Sequence, residues 1–507
     1  MARGELPVLV GVGQAVSHWT AEEGVAAAPS YVSLAEQAIG RALQDAGGAL
    51  PPDAIDTLAM VRTMEDSLPT SAYAFGRAAN LPRAVAKAAG VTPETAIYEL
   101  TGGQSPQALV NEMGGRIYTG ESDCALVVGS EVIGAMKAAR RAGLDLDLSD
   151  ESDGPVEDRG LGASLLSRAE IKHGLVVPAY FYALFENAMA ARRLETKEAH
   201  RAAMARLFKR YSDVAAANPY AQFPEDRSET FLASPSKENY PFADPFLKWH
   251  MAQDAVNQAA AVLVMSESRA DTFGIPADAR VYLHGAGEAY DDHISVRPVL
   301  DGSWAMAEAL ARAFEQANCS PADIALFDLY SCFPCAVFSA CEALGIDPDS
   351  ERRPLTVTGG LPFFGGPGNN YSLHAIASMV EAVRAAPGQK GLVLANGGWM
   401  TKEAAAIYST ERPTAFTPAA PAATPSAQIP LAVGPVEGIV ETFTIIHGRD
   451  GPRQAICFVK IASGARVIAS SRAPDVLARF GDDRSAIGER VAIDTDGEVN
   501  TVRLYAA

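Results

Sequence analysis

The chain has 507 residues, 48% of them hydrophobic, which is enough to bury large cores and too long for one ordinary domain. Its formal net charge is -19, so it lacks the basic surface that a nucleic-acid-binding protein needs. No apolar run approaches the roughly 20 residues of a membrane-spanning helix. We therefore expect two or three domains that bind neither nucleic acid nor a membrane.

The six cysteines are too few to form a disulfide framework in so long a chain. Cys332 and Cys335 form a C-x-x-C pair, but no second pair accompanies it, so we expect no metal site. The first fifteen residues lack the layout of a signal peptide. We therefore expect a protein of the reducing cytoplasm.

Apolar strands alternate with helices in the first 131 residues. The stretch "PVLVGVGQA" is typical of a strand, and "SLAEQAIGRALQDAG" has the apolar spacing of a helix that ends at a glycine. Three more apolar strands follow, with a helix predicted from about Ser105 to Tyr118 before the last of them. Uninterrupted apolar strands separated by helices predict a parallel sheet that is covered on both faces.

The regular alternation stops between about residues 133 and 253, where polar loops and helices dominate. We interpret this segment as a large insertion that lies over a site. From "AAAVLVMSESRADTFGI" onwards the alternation returns, and the second half of the chain repeats the element order of the first.

The C-terminal part has a different composition. Residues 411–430 are rich in Pro and Ala, which predicts a semi-rigid linker with few contacts to the core. Two β-rich runs then flank an Asp-Gly turn, a hairpin signal, and further strands follow. Residues 431–507 therefore predict a small all-β barrel.

Two stretches, together with the element order, resemble the thiolase superfamily over about residues 5–410. "NQAAAVLVMSESRADTFGI" is similar to the segment that opens the second thiolase half, and "SPQALVNEMGGRIYTGESDCALVVGSE" to the helix and strand after the thiolase nucleophile. The β-rich tail resembles the extra C-terminal domain of thiolase-like proteins type 1. This resemblance implies a five-layered αβαβα fold of two similar halves, 1–275 and 276–410, plus an OB-like barrel.

Thiolases join or split carbon chains that are carried as coenzyme A thioesters, and four loops supply their chemistry. This chain departs from the family pattern in all four. Gly102 stands at the nucleophilic Cys of C-x-S, and Tyr330 at the first position of N-E-A-F. Gly366 replaces the basic His of G-H-P, and Ala395 or Asn396 replaces the Cys of C-x-G. The resemblance therefore implies the fold but not the cysteine mechanism.

The loop before the helix at Ser105 still suits a ligand. Gly102 and Gly103 allow close approach of a ligand to the backbone, and the helix N-terminus can hold a thioester oxygen or an enolate. Ser105 is a good N-cap and Pro106 a good first helical residue. The alternative is an ordinary tight turn before a helix.

The missing histidine leaves the proton acceptor to be found. His374 is the titratable base nearest in sequence to Gly366, the position of the missing histidine. We predict His374 as the base and Tyr330 as the acid or oxyanion donor. Packing roles are the alternative for both side chains. Cys332 is a further candidate, although a small buried residue is the simpler interpretation, and His250 could reach the site from the insertion.

Glycines and amides complete the predicted site. Gly366 and Gly398 would bring backbone close to the thioester, and Asn369 and Asn370 could fix the thioester or the pantetheine.

Three functions remain open at this stage. The first is formation or cleavage of a carbon–carbon bond of an acyl-CoA without a nucleophilic Cys, acetyl-CoA acetyltransferase-like by resemblance. A retro-aldol lyase acting on a β-hydroxyacyl-CoA is the second, and steroid side-chain aldolases are similar to this case. The third is a non-catalytic acyl-CoA-binding protein. In each, coenzyme A or acyl-CoA is the substrate or ligand and no cofactor stays bound. A homodimer or a partner subunit is also expected.

A first prediction concerns covalent catalysis. Because glycine occupies the nucleophile position and the last loop has no cysteine, no acyl-enzyme should form. Incubation with acetoacetyl-CoA followed by intact-mass analysis should leave the mass unchanged. An acetyl adduct on Cys332 or Cys335 would contradict this prediction.

Overall fold

A computed structural model describes residues 4–47 and 50–505. Positions 1–3, 48–49 and 506–507, which belong to the predicted first half and the predicted barrel, lie outside the described residues. The strands are β1 Pro7–Val16, β2 Thr57–Met60, β3 Thr95–Tyr98, β4 Cys124–Glu131, β5 Glu157–Asp158, β6 Pro241–Ala243, β7 Phe246–Leu247, β8 Gln258–Ser266, β9 Val281–Tyr290, β10 Ile324–Leu329, β11 Lys390–Gly397, β12 Lys402–Ser409, β13 Ala422–Ala423, β14 Val436–Gly448, β15 Gly451–Ile461, β16 Arg466–Ser471, β17 Arg490–Thr495 and β18 Asn500–Arg503. The α-helices are α1 Tyr31–Asp45, α2 Leu81–Ala88, α3 Ser105–Thr119, α4 Ile133–Ala142, α5 Arg168–Lys172, α6 Pro178–Arg192, α7 Lys197–Ala217, α8 Glu229–Ala233, α9 Glu267–Thr272, α10 Trp304–Ala317, α11 Pro334–Leu344, α12 Tyr371–Ala385 and α13 Pro474–Gly481.

Two similar sheets form the core. In the first, the strand order is β3-β2-β4-β8-β1, and in the second it is β10-β11-β12-β9. The first sheet has one extra edge strand, β3. Without it, the four strands of each sheet, numbered in chain order, follow the same spatial order, 2-3-4-1. The sheets join where Val8 and Leu9 of β1 pair with Tyr282 and Val281 of β9. This repetition confirms the predicted pair of similar halves.

The predicted parallel sheet is only partly correct. Strands β2, β3 and β4 are mutually parallel, as are β10 and β11. However, β8 runs antiparallel to β4 and β1, and β12 runs antiparallel to β11 and β9. These strands are buried on both faces like the parallel ones, so their apolar runs do not reveal their direction.

A pair of glycines brings one helix close to the sheet in each half. A Cβ at Gly13 on β1 would lie 2.1 Å from the carbonyl oxygen of Ala38 on α1. Likewise, a Cβ at Gly287 on β9 would lie 2.0 Å from the carbonyl oxygen of Ala309 on α10. Only glycine permits this backbone approach, which fixes an outer helix on each sheet in the same way.

Five layers result from this packing. Helices α3 and α12 contact each other and strands of both sheets, so they form the central layer. The outer layers are α1 with α2 over the first sheet and α10 with α11 over the second. The predicted αβαβα architecture is thus confirmed, and it places the N-termini of α3, α11 and α12 near one another.

The insertion supplies helices and three short strands. Helix α6 packs on β14, and β6 pairs with β14 through Ala243 and Ile446. The insertion therefore connects the core to the C-terminal domain. Within the described residues, no helix is long and apolar enough to cross a membrane.

The C-terminal domain is a closed barrel of five strands, β14-β15-β16-β18-β17, in which β17 returns to β14. Helix α13 covers one side, with Val476 and Phe480 buried in the barrel core. The predicted small barrel is confirmed.

The prediction that residues 411–430 make few contacts with the core is wrong. Phe416 is buried against Tyr118, with ring centroids 5.6 Å apart, and Ala422–Ala423 add a short parallel strand to β9. The N–H of Ile429 donates to the carbonyl oxygen of Val296 at 2.7 Å. A Pro/Ala composition shows that a segment has no core of its own, but it does not prevent the segment from docking on another core.

The barrel is also joined to the core through its outer face. Ile456, Phe458 and Ile468 point away from the barrel interior and belong to the main hydrophobic core. Asn187 of α6 donates to the carbonyl oxygen of Phe443 at 2.8 Å. The barrel and the core should therefore unfold together.

This cooperativity is testable because all four tryptophans, Trp19, Trp249, Trp304 and Trp399, lie outside the barrel. Ile445→Ala removes a fully buried side chain from the barrel core and should cost about 2–5 kcal/mol. We expect it to lower the urea midpoint measured by tryptophan fluorescence. Ile439→Ala, on the same strand but 43% exposed, is the matched control and should change the midpoint little. An unchanged tryptophan transition in Ile445→Ala, with the barrel unfolded, would mean that the barrel is an independent module.

Candidate functional site

The loop before α3 has no room for a nucleophilic side chain. A Cβ at Gly102 would lie 2.1 Å from Oε1 of Gln104. A Cβ at Gly103 would lie 2.4 Å from the hydroxyl of Tyr330 and 2.5 Å from the carbonyl oxygen of Asn396. The space that a cysteine would need is therefore occupied by Gln104, and three loops meet at Gly103.

Helix α3 begins one residue earlier than the predicted capping pattern implies. Gln104 is the N-cap residue, and Ser105 is the first helical residue rather than the cap. The hydroxyl of Ser105 donates to the carbonyl oxygen of Leu100 at 2.9 Å and so ties the loop to the helix. This contact fixes the loop shape at Gly102 and Gly103.

Tyr330 and Cys332 follow β10 and face this loop. Tyr330 is buried, and its ring packs edge-on against Tyr371 at 5.3 Å. Burial raises the pKa of Tyr330 well above its ordinary value, so its hydroxyl stays protonated and can donate a hydrogen bond. Burial also raises the pKa of Cys332 to about 12. Cys332 is therefore a thiol and not a thiolate at neutral pH.

Asn396, one of the two residues predicted at the position of the last cysteine, lies at the end of β11. Its Nδ2 donates to the hydroxyl of Tyr182 at 3.0 Å and contacts Sγ of Cys332 at 3.7 Å. Tyr182 lies on α6 of the insertion and stacks on Phe333 at 4.3 Å. The insertion thus contributes a side chain to the site, as its predicted position over the site implies.

A buried carboxyl group lies beside Asn396. Glu403 on β12 is paired directly with Asn396 on β11, so the two side chains lie next to each other. Glu403 is fully buried, and burial raises the pKa of its carboxyl well above the ordinary value, while the charge of Arg297 opposes that rise. Nε of Arg297 donates to the carbonyl oxygen of Asp292 at 2.7 Å, and Nη2 to that of Trp399 at 3.2 Å.

An aromatic pair covers this region. Trp399 stacks on Phe181 of α6, with ring centroids 4.8 Å apart and planes at 1°. Gly398, Trp399 and Met400 have φ values of 54°, 60° and 54°. Left-handed backbone is costly for Trp and Met, so the packing around the turn must hold it in place.

We call the buried side chains of the loop before α3, of the ends of β10, β11 and β12, and of the residues beside them the polar cluster. Its members are Gln104, Tyr182, Arg297, Tyr330, Cys332, Asn396 and Glu403. Several of its buried polar atoms have no hydrogen-bond partner among the described residues: Oε1 of Gln104, Oδ1 of Asn396, both carboxyl oxygens of Glu403 and Nη1 of Arg297. A buried polar atom without a partner costs about 1–3 kcal/mol. The polar cluster is therefore built to receive hydrogen bonds from a ligand or from water.

His374 lies outside the polar cluster. Its Nδ1 donates to Oε1 of Gln14 on β1 at 2.9 Å, and its ring packs edge-on against Phe364 at 5.1 Å. Complete burial lowers the pKa of His374 to about 3. These observations argue against the prediction that His374 is the base, because such an imidazole is a weak proton acceptor at neutral pH.

The two predicted asparagines also face the first sheet. Asn369 donates to the carbonyl oxygen of Arg62 at 2.8 Å and to the hydroxyl of Ser67 at 2.9 Å. Asn370 lies against Gly129, whose Cβ would stand 2.1 Å from its Oδ1. Among the described contacts, neither asparagine side chain touches the polar cluster.

His250 and the remaining glycines take other positions. His250 accepts a hydrogen bond from the N–H of Leu247 at 3.3 Å, and burial lowers its pKa to about 3. The N–H of Gly366 donates to the carbonyl oxygen of Gln253, so this loop faces the insertion. Gly398 lies at the edge of the polar cluster, near Thr401. The structure thus brings together Gly102, Gly103, Gly398, Tyr330 and Cys332 of the predicted set.

Four members of the polar cluster were missed from the sequence: Gln104, Tyr182, Arg297 and Glu403. A signal existed for Glu403, because it is the single charged residue within the apolar run "EAAAIYS" of a buried strand. Tyr182 and Arg297 come from the insertion and from a loop, where no pattern marks them.

A separate cavity of about 310 Å³ lies between α5 and the barrel. Lys172, His173, Glu498 and Asn500 are among its lining residues. Nζ of Lys172 is already paired with Glu498 at 2.8 Å, so the cavity offers few free polar groups.

Comparison with known proteins adds to this geometry. The family model "Thiolase-like protein type 1 additional C-terminal domain" matches residues 419–498. The solved structure of a monomeric SCP2-thiolase-like protein type 1 from Mycobacterium smegmatis is 32% identical over 100% of both chains, with a TM-score of 0.81. The chain belongs to the SCP2-thiolase-like proteins type 1. The family model starts inside the predicted linker, which fits the docking of that segment.

More distant structures share the fold of this SCP2-thiolase-like protein type 1. One is described as the Ltp2-ChsH2(DUF35) aldolase, 19% identical over 80% of this chain and 98% of that chain, with a TM-score of 0.58. Another is the acetyl-CoA acetyltransferase from Syntrophomonas wolfei, 17% identical over 80% of this chain and 100% of that chain, with a TM-score of 0.56. No match was found among curated proteins.

The reactivity of the cysteine thiols gives a second test of the site. Cys332 and Cys335 are buried and have raised pKa values, whereas Cys319 is only half-buried. In the native protein at pH 8, iodoacetamide should modify Cys319 and leave Cys332 and Cys335 unmodified, because the thiolate is the reacting form. Peptide mass mapping measures this, and all six cysteines should react after denaturation. Fast modification of native Cys332 would mean that a reactive thiolate is present.

Proposed function

We propose that this protein forms or cleaves a carbon–carbon bond of a coenzyme A thioester without an acyl-enzyme. One observation carries the proposal: five buried polar atoms of the polar cluster have no hydrogen-bond partner among the described residues, and two of their residues, Gln104 and Asn396, lie in or next to loops that match the catalytic loops of the superfamily. Coenzyme A or acyl-CoA is then a substrate, and no resident cofactor takes part. The related fold of an acetyl-CoA acetyltransferase supports this class of chemistry.

Acid–base catalysis replaces the thiolate in this proposal. Glu403 is the base, because a carboxylate with a raised pKa accepts a proton better than an ordinary one. Tyr330 is the hydrogen-bond donor, since its hydroxyl stays protonated. Nη1 of Arg297 is a second donor for a developing negative charge.

Within this class, the balance of donors and acceptors favours an aldol reaction. The partnerless atoms of the polar cluster include four acceptors when Glu403 is ionised, on Gln104, Asn396 and Glu403, but one donor, on Arg297. A β-hydroxyl group can donate to such a site, whereas a β-keto group only accepts. A β-hydroxyacyl-CoA therefore satisfies the acceptors better than a β-ketoacyl-CoA does.

The retro-aldol step can be written with these groups. Glu403 takes the proton of the β-hydroxyl, the Cα–Cβ bond breaks, and the former hydroxyl carbon becomes a carbonyl. The electron pair of the broken bond moves to Cα and the thioester oxygen, where Tyr330 and Arg297 stabilise the enolate. The protonated Glu403 then returns the proton to Cα. The products are a carbonyl compound and a shortened acyl-CoA, and the reverse sequence forms the bond.

Binding and turnover assays separate this proposal from its alternatives. Isothermal titration with coenzyme A measures binding, and product analysis with β-hydroxyacyl-CoA and β-ketoacyl-CoA measures turnover. We expect carbon–carbon cleavage of the β-hydroxyacyl-CoA. Binding without turnover of either ester would mean a non-catalytic acyl-CoA-binding protein, and transfer of an acetyl group to coenzyme A would restore the acetyltransferase reaction.

Two side-chain variants test the assigned roles. Glu403→Gln and Tyr330→Phe should each lower kcat by about 10²- to 10⁴-fold and change coenzyme A affinity little, because both groups act on the reacting atoms. His374→Gln is the comparison variant and should retain most of the activity, since His374 contacts Gln14 and not the polar cluster. Loss of turnover in His374→Gln with turnover kept in Glu403→Gln would return the base role to His374.

A further inference from the structure

The two largest fully buried side chains of the described residues are both arginines, Arg297 and Arg466. Arg297 belongs to the polar cluster. Arg466 is the first residue of β16 in the barrel. A buried arginine needs specific partners because its charge is removed from water. The partners of Arg466 lead back to Arg297.

Arg466 holds one short turn of the core. Its Nη1 donates to the carbonyl oxygens of Ile294, Ser295 and Arg297 at 3.4, 3.0 and 2.7 Å. Its Nε donates to Glu441 of the neighbouring strand β14 at 2.6 Å. Charge-assisted hydrogen bonds of this kind are stronger than neutral ones. A single barrel side chain therefore fixes the turn 294–297, which carries Arg297.

The same turn leads directly into the candidate site. The side chain of Arg297 is held by carbonyl oxygens of Asp292 and Trp399, and its Nη1 has no partner among the described residues. Its charge acts on Glu403, whose two oxygens are likewise without partners within the part of the chain that the structure describes. A change in the turn 294–297 would move this charge relative to Glu403.

We propose that the barrel takes part in the site through Arg466, a positioning residue that fixes the turn 294–297 and so holds the side chain of Arg297 against the last loop at Trp399, within the influence of Glu403. This inference rests on the proposed function of the polar cluster. It gives the barrel a role within its own chain, different from the docking of another subunit.

The charged and titratable groups around this pair are few. Burial and the charge of Glu403 raise the pKa values of Tyr182 from α6 and of Tyr330 and Cys332 from the loop after β10, so all three are neutral at neutral pH. Asp291 and Asp292 face Arg297, with Oδ2 of Asp291 3.7 Å from its Nε. Arg297 therefore supplies the positive charge that favours the ionised form of Glu403.

The expected effect of a lost Arg466 has a definite sign. A nearby positive charge lowers the pKa of a carboxyl, so displacement of Arg297 should raise the pKa of Glu403 further. Because the base must be ionised, kcat below that pKa should fall about tenfold for each unit. KM for the coenzyme A thioester should change little, since Arg466 does not touch the substrate.

The test is an infrared pH titration of the Glu403 carboxyl band in the full chain. Glu403→Gln identifies the band by its loss. In Arg466→Met the band should titrate at higher pH than in the natural protein. Arg466→Lys keeps the buried charge but lacks the planar fork, so it should shift the band less. Glu441→Gln is the matched control, because it removes the other partner of Arg466 and leaves the three carbonyl contacts.

The outcomes separate the inference from the proposed function. A folded Arg466→Met protein in which the band titrates as in the natural protein would overturn the positioning role. If Arg466→Met does not fold, a band that titrates no higher in Arg466→Lys than in Glu441→Gln would overturn it, and a higher titration in Arg466→Lys would support it. Shifted titration without turnover of any coenzyme A thioester would support the positioning role and refute the proposed function. Shifted titration together with an equally shifted kcat profile would support both.

Discussion

Buried polar atoms that find no partner among the described residues are the constraint on which this structure depends. Each costs about 1–3 kcal/mol, so a protein keeps them only where surrounding structure is strong enough to hold them or where a ligand will bind them. Here five such atoms belong to Gln104, Arg297, Asn396 and Glu403 of the polar cluster. The two sheets, the insertion and the barrel each contribute to the shell that keeps this cluster out of water.

In the proposed function, the side chain of Gln104 and a set of acid–base groups take the place of the family's cysteines. With glycine at position 102, the side chain of Gln104 fills the space of a nucleophile. Ala395 or Asn396 stands at the position of the last-loop cysteine, and the strand paired with β11 brings Glu403 beside Asn396. In the proposed function, a buried carboxyl group, a tyrosine hydroxyl and a guanidinium do the work of the thiolate. In this account the chemistry has changed type, because proton transfer replaces acyl transfer to the enzyme.

The appended barrel packs against the same core that carries the polar cluster. Its outer face packs into the main core, and Arg466 reaches the turn that carries Arg297. Segment 411–430, which has no core of its own, is held by Phe416 and by the short strand at Ala422–Ala423. An arrangement of this kind makes the stability of the barrel a condition for the geometry of the site.

Much of the fold could be predicted from the sequence because apolar strands and amphipathic helices are local patterns. Strand direction could not be predicted, since β8 and β12 are as uniformly buried as their parallel neighbours. The site was predictable only where a motif marks it. Tyr330 lies in the polar cluster, whereas His374, one turn along α12 from Tyr371, contacts Gln14 of β1 instead. Arg297 depends on a tertiary contact with the barrel, for which a single sequence holds no signal.

The most direct test of this account is the crystal structure of the Glu403→Gln variant with a bound β-hydroxyacyl-CoA. The account predicts that the β-hydroxyl lies about 3 Å from Oδ1 of Asn396 or from the side chain at position 403, with the thioester oxygen near Tyr330 and Nη1 of Arg297. An acyl end bound elsewhere, for example in the cavity between α5 and the barrel, with the polar cluster unchanged, would contradict it.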